Sequence, residues 1–347
     1  MRSEKNSLCC NNKQYFSDPY FLKNNIYQMI TSTPAFKRLD GITFLGAIGL
    51  LEKVNGKKDI SRAEHSINIA SLIYKICNAR CYDQELTKHL CVAGLLNNIG
   101  HFPLSHSVSG YLSRKFNMDH HALGSLIIDG EFPHLSDLNK ILKNNLDISF
   151  IKSLLDKKIK KDLGGDIFSS KFNVSTITGI YQSGLFIGHD LFNKDKIVNE
   201  VYLKSSKDVN YTLLDHFWES KNFIYNQFIQ SEFGLFVDNI GELFLKKNIN
   251  NLNINDLLSI EKTWHKKFFF MKLFKNLDSS SLITNYRGRT FYIPKEIDGS
   301  DQLFYKRRKY TVNSNEISLS NRYICLINIQ KQKKFNDKIP TKNLKLF

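Results

Sequence analysis

Imidazoles and one guanidinium carry most of the chemistry available to this chain. The stretch Ala93-Gly94-Leu95-Leu96-Asn97-Asn98-Ile99-Gly100-His101-Phe102-Pro103-Leu104-Ser105-His106 holds two histidines; Arg62-Ala63-Glu64-His65-Ser66 precedes it and His121 follows. Imidazole titrates near neutrality, so such a group suits proton transfer, metal ligation or, beside a guanidinium, the binding of an anion by charge-assisted hydrogen bonds. Each position also has a plainer reading. His65 reads as a core histidine hydrogen-bonded to an amide, and Asn97 and Asn98 as residues ending a helix before Ile99-Gly100, since Asn tolerates cap and left-handed backbone. No GxSxG, Walker loop or GxGxxG occurs, and Gly164-Gly165 is only a turn signal. Asp119-His120 and Asp215-His216 are adjacent pairs, whose side chains diverge on a helix.

The order and spacing of these segments resemble the HD superfamily of metal-dependent phosphohydrolases. Thr33-Pro34-Ala35-Phe36-Lys37-Arg38-Leu39, with Ile42 and Leu45-Gly46, is similar to the opening motif of its deoxynucleoside triphosphate triphosphohydrolase branch. His121-Ala122-Leu123-Gly124-Ser125 is similar to that branch's later His-Glu-x-Gly-Ser element. The likeness is strongest over residues 33–125 and continues more weakly from Leu214 to Leu245.

The resemblance implies a metal site formed by a His, a His-Asp pair and a distant Asp, which map to His65, Asn97, Asn98 and Ser169. The last comes from reading Asp166-Ile167-Phe168-Ser169-Ser170 against an Asp-x-x-Asp-Tyr-x-x-Arg-Asp pattern, whose Tyr and Arg fall at Ser170 and Asn173. Three of the four are the wrong residue type. Hard divalent ions are held by anionic oxygen, and one imidazole, two carboxamides and a hydroxyl bring no negative charge to activate a bound water. Arg62, His101, His106 and His121 stand where the family places phosphate-contacting and acid/base groups. His101, His106 and His121 are therefore the vestigial catalytic candidates, and Arg62 and His106 the substrate-binding ones. Ala122 replaces the family's Glu, and Phe44 stands where a Gln often precedes Leu-Gly.

The function implied is that of a triphosphohydrolase homologue that has lost its metal ligands: a pseudoenzyme without a cofactor, binding a nucleotide-like ligand or a protein partner. Two alternatives stay open. One is an active phosphohydrolase with a non-standard site and a divalent metal, using His101, His106 and His121. The other is a nucleic-acid-binding protein acting through a basic tail. The resemblance also implies oligomers, either of this chain alone or mixed with a paralogue.

The elements that must position these residues read as mainly α. Ile67, Ala70, Ile73 and Cys77 recur at helical spacing after Ser61, and Leu86, Leu90, Ala93 and Leu96 do so before Gly100. Further helical patterns run through Leu123–Ile128, Asp215–Phe228, Phe233–Leu245 and Thr263–Phe274, with minor hairpins at Arg287–Ile293 and Tyr323–Ile329. The expected organisation is an N-terminal segment over residues 1–30, a single multi-helix HD-like body over 31–300 and a basic C-terminal extension over 301–347.

Composition and charge narrow the partners. With 42% hydrophobic and 24% charged residues, the 347-residue chain has a globular rather than a disordered or membrane-protein make-up. No apolar run is long enough for a membrane span and no signal-peptide core precedes the body, so a cytoplasmic location is expected. Cysteines at 9, 10, 77, 81, 91 and 325 form no CxxC pair, which argues against a disulfide framework or zinc knuckle. Of the net charge of +16, +9 lies between Lys306 and Phe347, led by Lys306, Arg307, Arg308 and Lys309. Basic residues interleaved with Tyr310 and Tyr323 suit single-stranded nucleic acid, and suit equally a solvated extension.

Overall fold

Short polar side chains start the helices that matter most. The computed structural model describes residues 24–50, 59–205, 208–229 and 249–267, with scattered positions between 234 and 245. Its longer helices are α1 (Asn25–Ser32), α2 (Arg62–Ala79), α3 (Gln84–Leu96), α4 (His106–Phe116), α5 (His120–Asp129), α6 (Asp137–Asn145), α7 (Ile148–Leu155), α8 (Val174–Phe186) and α9 (Tyr211–Phe223). Ser61 opens α2 with a reciprocal capping box: its hydroxyl accepts from the Glu64 amide at 3.1 Å while the Glu64 carboxylate accepts from the Ser61 amide at 2.8 Å. Asp83, Asp119 and Asn173 cap α3, α5 and α8 in the same way, one backbone N–H each. Asp119 is thereby a helix cap.

The fold is mainly α. Among the described residues the only β pairing is an isolated antiparallel bridge between Thr43 and Ser61. No described helix is long and apolar enough to cross a membrane. The hairpins expected at Arg287–Ile293 and Tyr323–Ile329, and the basic extension with Lys306, Arg307, Arg308 and Lys309, lie outside the described residues. The helix expected from Asp215 begins earlier, at Tyr211, and after Phe223 passes into a wider π-type turn over Ile224–Ile229.

Helices α2 and α3 pack tightly, and the glycine between them explains the distance. A Cβ on Gly94 would lie 2.7 Å from the Ile73 side chain and 3.1 Å from the Ala70 backbone. Farther on, a Cβ on Gly100 would run into the His120 carbonyl oxygen and the Gly124 nitrogen, so α5 docks directly on the loop that follows α3. The core these contacts enclose includes Ile69, Ile73, Leu90, Leu96, Ile127, Phe172, Phe217 and Trp218, all nearly or wholly shielded from water. At about 25 cal/mol per Å² of apolar surface, such burial is the main term holding the helices together.

Candidate functional site

Arg62, the first residue of α2, organises the end of the bundle where the sequence motifs meet. Its guanidinium is buried and donates through Nε to Ser105 Oγ at 3.0 Å, through Nη1 to Asn98 Oδ1 at 3.0 Å and through Nη2 to the Phe44 carbonyl at 2.7 Å. The Asn98 amide nitrogen donates in turn to Ser66 Oγ at 3.0 Å. Two buried carboxylates offset the guanidinium charge. Asp59 accepts from the Leu45 amide at 2.7 Å, and Glu261 from the Thr43 amide and hydroxyl and the Leu104 amide. Burial pushes the Asp59 carboxyl up to about 7 and raises that of Glu261, against the pull of these hydrogen bonds and of Arg62.

A second arginine holds the loop after α3. Arg38 is fully buried and donates to the His101 carbonyl at 2.7 Å and to the Ile99 carbonyl. Loss of hydration lowers its pKa to about 10, which leaves it charged at neutrality. The chain then turns through Leu104 and Ser105, both at positive φ, 63° and 44°, before α4 begins at His106. Two consecutive non-glycine residues there are costly, on the order of 1–2 kcal/mol each. Ser105 is kept in place because its hydroxyl donates to the Thr43 carbonyl at 2.9 Å while accepting from Arg62.

That turn brings four histidines together. The His101 and His120 rings stack at 4.4 Å and 21°, His106 lies 4.8 Å from His101 and 5.4 Å from His120, and His121 lies 4.1 Å from His120. His101 is buried, His120 half-buried, and His106 and His121 exposed. Burial, then the nearby Arg62 charge and the other imidazoles, hold His101 well below the usual histidine range. Burial with His121 and Arg62 brings His120 down to about 3. Both are neutral at physiological pH.

These groups face a cavity of about 800 Å³. Helix α4 lines it with His106, Gly110 and Arg114, spaced four apart on one face, and α8 lines it with Ser175, Gly179 and Ser183 at the same spacing. Lys157, after α7, adds a further basic side chain, while Asp238 and Glu242 bring carboxylates to the same lining. Arg114 pairs with Glu242 at 2.9 Å. The half-buried ring of Phe44 lies in the same cavity, 4.2 Å from the His65 ring, with the Arg62 guanidinium 4.9 Å from its centre.

The structure brings together His65, Asn97, Asn98, His101, His106, His121 and Arg62 on that cavity, but not Ser169. Ser169 closes the short turn Asp166–Ser169, and its hydroxyl donates to the Lys160 carbonyl at 2.7 Å. The hydroxyl that faces Asn97 is Ser175, 3.2 Å from the Asn97 amide nitrogen. Asp166, from the same motif reading, makes a bidentate ion pair with Arg80 at 2.9 and 2.7 Å. Asn97 stands at the C-cap of α3 with ordinary right-handed backbone, so the helix end uses neither asparagine's left-handed tolerance; Asn98 is buried and spent on Arg62 and Ser66. His65 is buried, but the amide partner expected for it is missing, since its Nδ1 has no hydrogen bond among the described residues. Burial and Arg62 hold its pKa well below the usual value.

Sequence reasoning missed His120, Arg114, Lys157 and Ser175. A signal existed for Arg114 in the four-residue spacing from His106 through Gly110. His120 was set aside with Asp119 as an adjacent pair, although its relevant neighbours are His101 and His106.

No protein-family profile matches the chain. Over 223 residues it is 26% identical to "Uncharacterized protein MG461 homolog" of Mycoplasma pneumoniae, covering 58% of this chain and 50% of that protein. Over 158 residues it is 30% identical to "Uncharacterized protein MG461" of Mycoplasma genitalium, covering 41% and 35% respectively. The chain thus spans about half, or less, of the length of the curated relatives it matches. Among solved structures, a hypothetical protein from Aquifex aeolicus shares the fold with a TM-score of 0.58 at 20% identity, over 73% of this chain and 70% of that one. At that identity the likeness speaks for the fold alone.

Proposed function

We propose that this chain is an HD-superfamily homologue of deoxynucleoside triphosphate triphosphohydrolases that works as a pseudoenzyme, binding a phosphate-bearing ligand in its cavity without a metal. The observation that carries this reading is the use made of Asn98. Where the family's pattern calls for a metal-binding carboxylate, a carboxamide accepts from the Arg62 guanidinium and donates to Ser66. Both ends of the amide are committed, and the nearest charge is positive.

The rest of the donor set fits a divalent cation no better. Asn97 presents its NH₂ group to Ser175, and Ser169 lies elsewhere. Of the four mapped positions only His65 brings a ring nitrogen, and one imidazole cannot offset the dehydration of a hard ion. The anion-binding half of the wall, in contrast, keeps His106, His120, His121, Arg114 and Lys157 on one cavity. Neutral His101 and His120 can exchange hydrogen bonds with a phosphate and cannot act as strong acids at neutral pH. The planar guanidinium of Arg114, one nitrogen of which pairs with Glu242 at 2.9 Å, stands on the same wall.

The test combines elemental analysis of the purified chain with calorimetry and phosphate release across deoxynucleoside triphosphates and simple phosphomonoesters, with and without chelator. The expected result is saturable binding that chelation does not change, and no release. About one metal per chain together with triphosphate release that chelation abolishes would defeat the reading.

A further inference from the structure

The segment before α2 is unusually well anchored, and the anchoring converges on one side chain. The Phe44 amide donates to the Ile60 carbonyl at 3.0 Å, its carbonyl accepts from Arg62 Nη2 at 2.7 Å, and the next amide, Leu45, is bound by Asp59 at 2.7 Å. The ring therefore sits on a backbone fixed from both sides. It packs on His65 at 4.2 Å between ring centres, tilted 41°. Across the cavity α8 makes room for it. A Cβ on Gly179 would come within 3.3 Å of Phe44 Cζ and 3.8 Å of His65 Cε1, so the tip of the phenyl and the Cε1 edge of the imidazole converge on a position of α8 that has no side chain.

We propose that Phe44, accommodated by Gly179, is a fixed plug packed on the face of His65 at the cavity wall, so that the pocket admits metal-free anions at the α4–α5 histidines and not at the imidazole of α2. Loss of carboxylates and closure by a phenyl are then separate features. A bound ion would have to lie about 2 Å from a ring nitrogen, and at His65 the phenyl, 4.2 Å away between ring centres, and α8 at Gly179 crowd the approach to the imidazole. The burial of Nδ1 without a hydrogen-bond partner among the described residues fits this arrangement, because a nitrogen shielded from the cavity gains no bond from solvent or ligand.

The significance of the plug rests on reading the site as a former metal site, but its existence does not, and the experiment separates the two. Diethylpyrocarbonate modifies neutral imidazoles that reagent can reach, and at pH 7.5 an ordinary histidine is largely neutral. The full chain is treated at that pH and each histidine followed by peptide mass mapping, with exposed His106 and His121 as internal references. In the wild-type chain His65 should react at least about tenfold more slowly than His106, as expected for a group reached only by local opening. Phe44→Ala should bring His65 close to the His106 rate, and Phe44→Leu, which keeps most of the bulk, should leave it slow. Where Ala lowers the thermal melt, Phe44→Val carries the same expectation as Ala and is read instead. Fast modification of His65 in the wild-type chain, or no acceleration in a folded ring-removed variant, overturns the plug. Metal in the wild-type protein would instead overturn the pseudoenzyme reading, leaving the two failures distinguishable.

Discussion

The α2–α3 side of the cavity and its α4–α5 side have been used differently. At Arg62 the side-chain donors end on Ser105, Asn98 and Phe44, Asn98 ends on Arg62 and Ser66, and the Phe44 ring covers His65. At His106 and His121 the imidazoles stand exposed on the wall of an 800 Å³ cavity. One side has become part of the core, where polar groups are stabilised by mutual hydrogen bonds. The other stays open, the side on which the proposed ligand would sit. A substitution on the first side should therefore register mainly as stability, and one on the second mainly as affinity.

The largest effect is expected at Arg62. Arg62→Ala strands the Asn98, Ser105 and Phe44 acceptors and leaves Asp59 and Glu261 without their compensating charge, which should cost about 3–5 kcal/mol. Urea unfolding would read it as a much lower midpoint at unchanged slope. A loss under 1 kcal/mol would mean that the α2–α3 side is not the closed network described.

Acidification tests the same contrast through protons. His65, His101 and His120 have folded pKa values below the unfolded value, so between those values only the unfolded chain takes up their protons and stability falls as pH falls below about 6.5. Asp59 and Glu261 have raised folded values and act in the opposite sense, their folded state gaining relative stability on acidification. With three groups against two, the net expectation is a loss of stability as pH falls below about 6.5. Unfolding midpoints at pH 7.5 and 5.5 should show it. His120→Gln should flatten the dependence and Asp59→Asn should steepen it.

On the open side, His106→Ala and Arg114→Ala should each weaken phosphate-ligand binding by about 1.5–3 kcal/mol, the scale of a charge-assisted hydrogen bond, with little change in the melt. Equal loss of stability would erase the distinction between the two sides. The smallest effect is expected at Asn97, whose 3.2 Å bond to Ser175 is neutral and half-exposed. Asn97→Ala should cost about 1 kcal/mol or less in stability and in binding, measured by the same melt and calorimetry.

Much of the frame was legible in local sequence because it rests on local physics. Apolar side chains recurring at helical spacing after Ser61 and before Gly100 marked α2, α3 and the faces that turn inward, and the structure adds the caps that start them, Ser61 with Glu64 and Asp83. The motif residues Arg62, His65, Asn97, Asn98, His101, His106 and His121 do share one cavity. Ser169 does not, because one short turn between Asp166 and Ser170 carries its hydroxyl to Lys160, and no local pattern reveals which of several nearby hydroxyls will face α3. The helix end read at Asn97 is there, with Asn97 the C-cap of α3, but its backbone is right-handed and the side chains of Asn97 and Asn98 go to distant partners in Ser175, Arg62 and Ser66.

By itself the sequence determined the helical class, the starts of α2 and α3, and the set of imidazoles, since caps and periodicity act within a few residues of chain. Tertiary structure alone decided that Arg62 spends its donors on protein, that His120 joins His101, that Glu261 reaches back to Thr43 across 218 positions, and that Phe44 lies on His65 opposite Gly179. Each of these depends on groups brought together by packing from distant parts of the chain. What a buried polar or aromatic side chain does is set by the neighbours the fold supplies, and its own sequence context does not contain them.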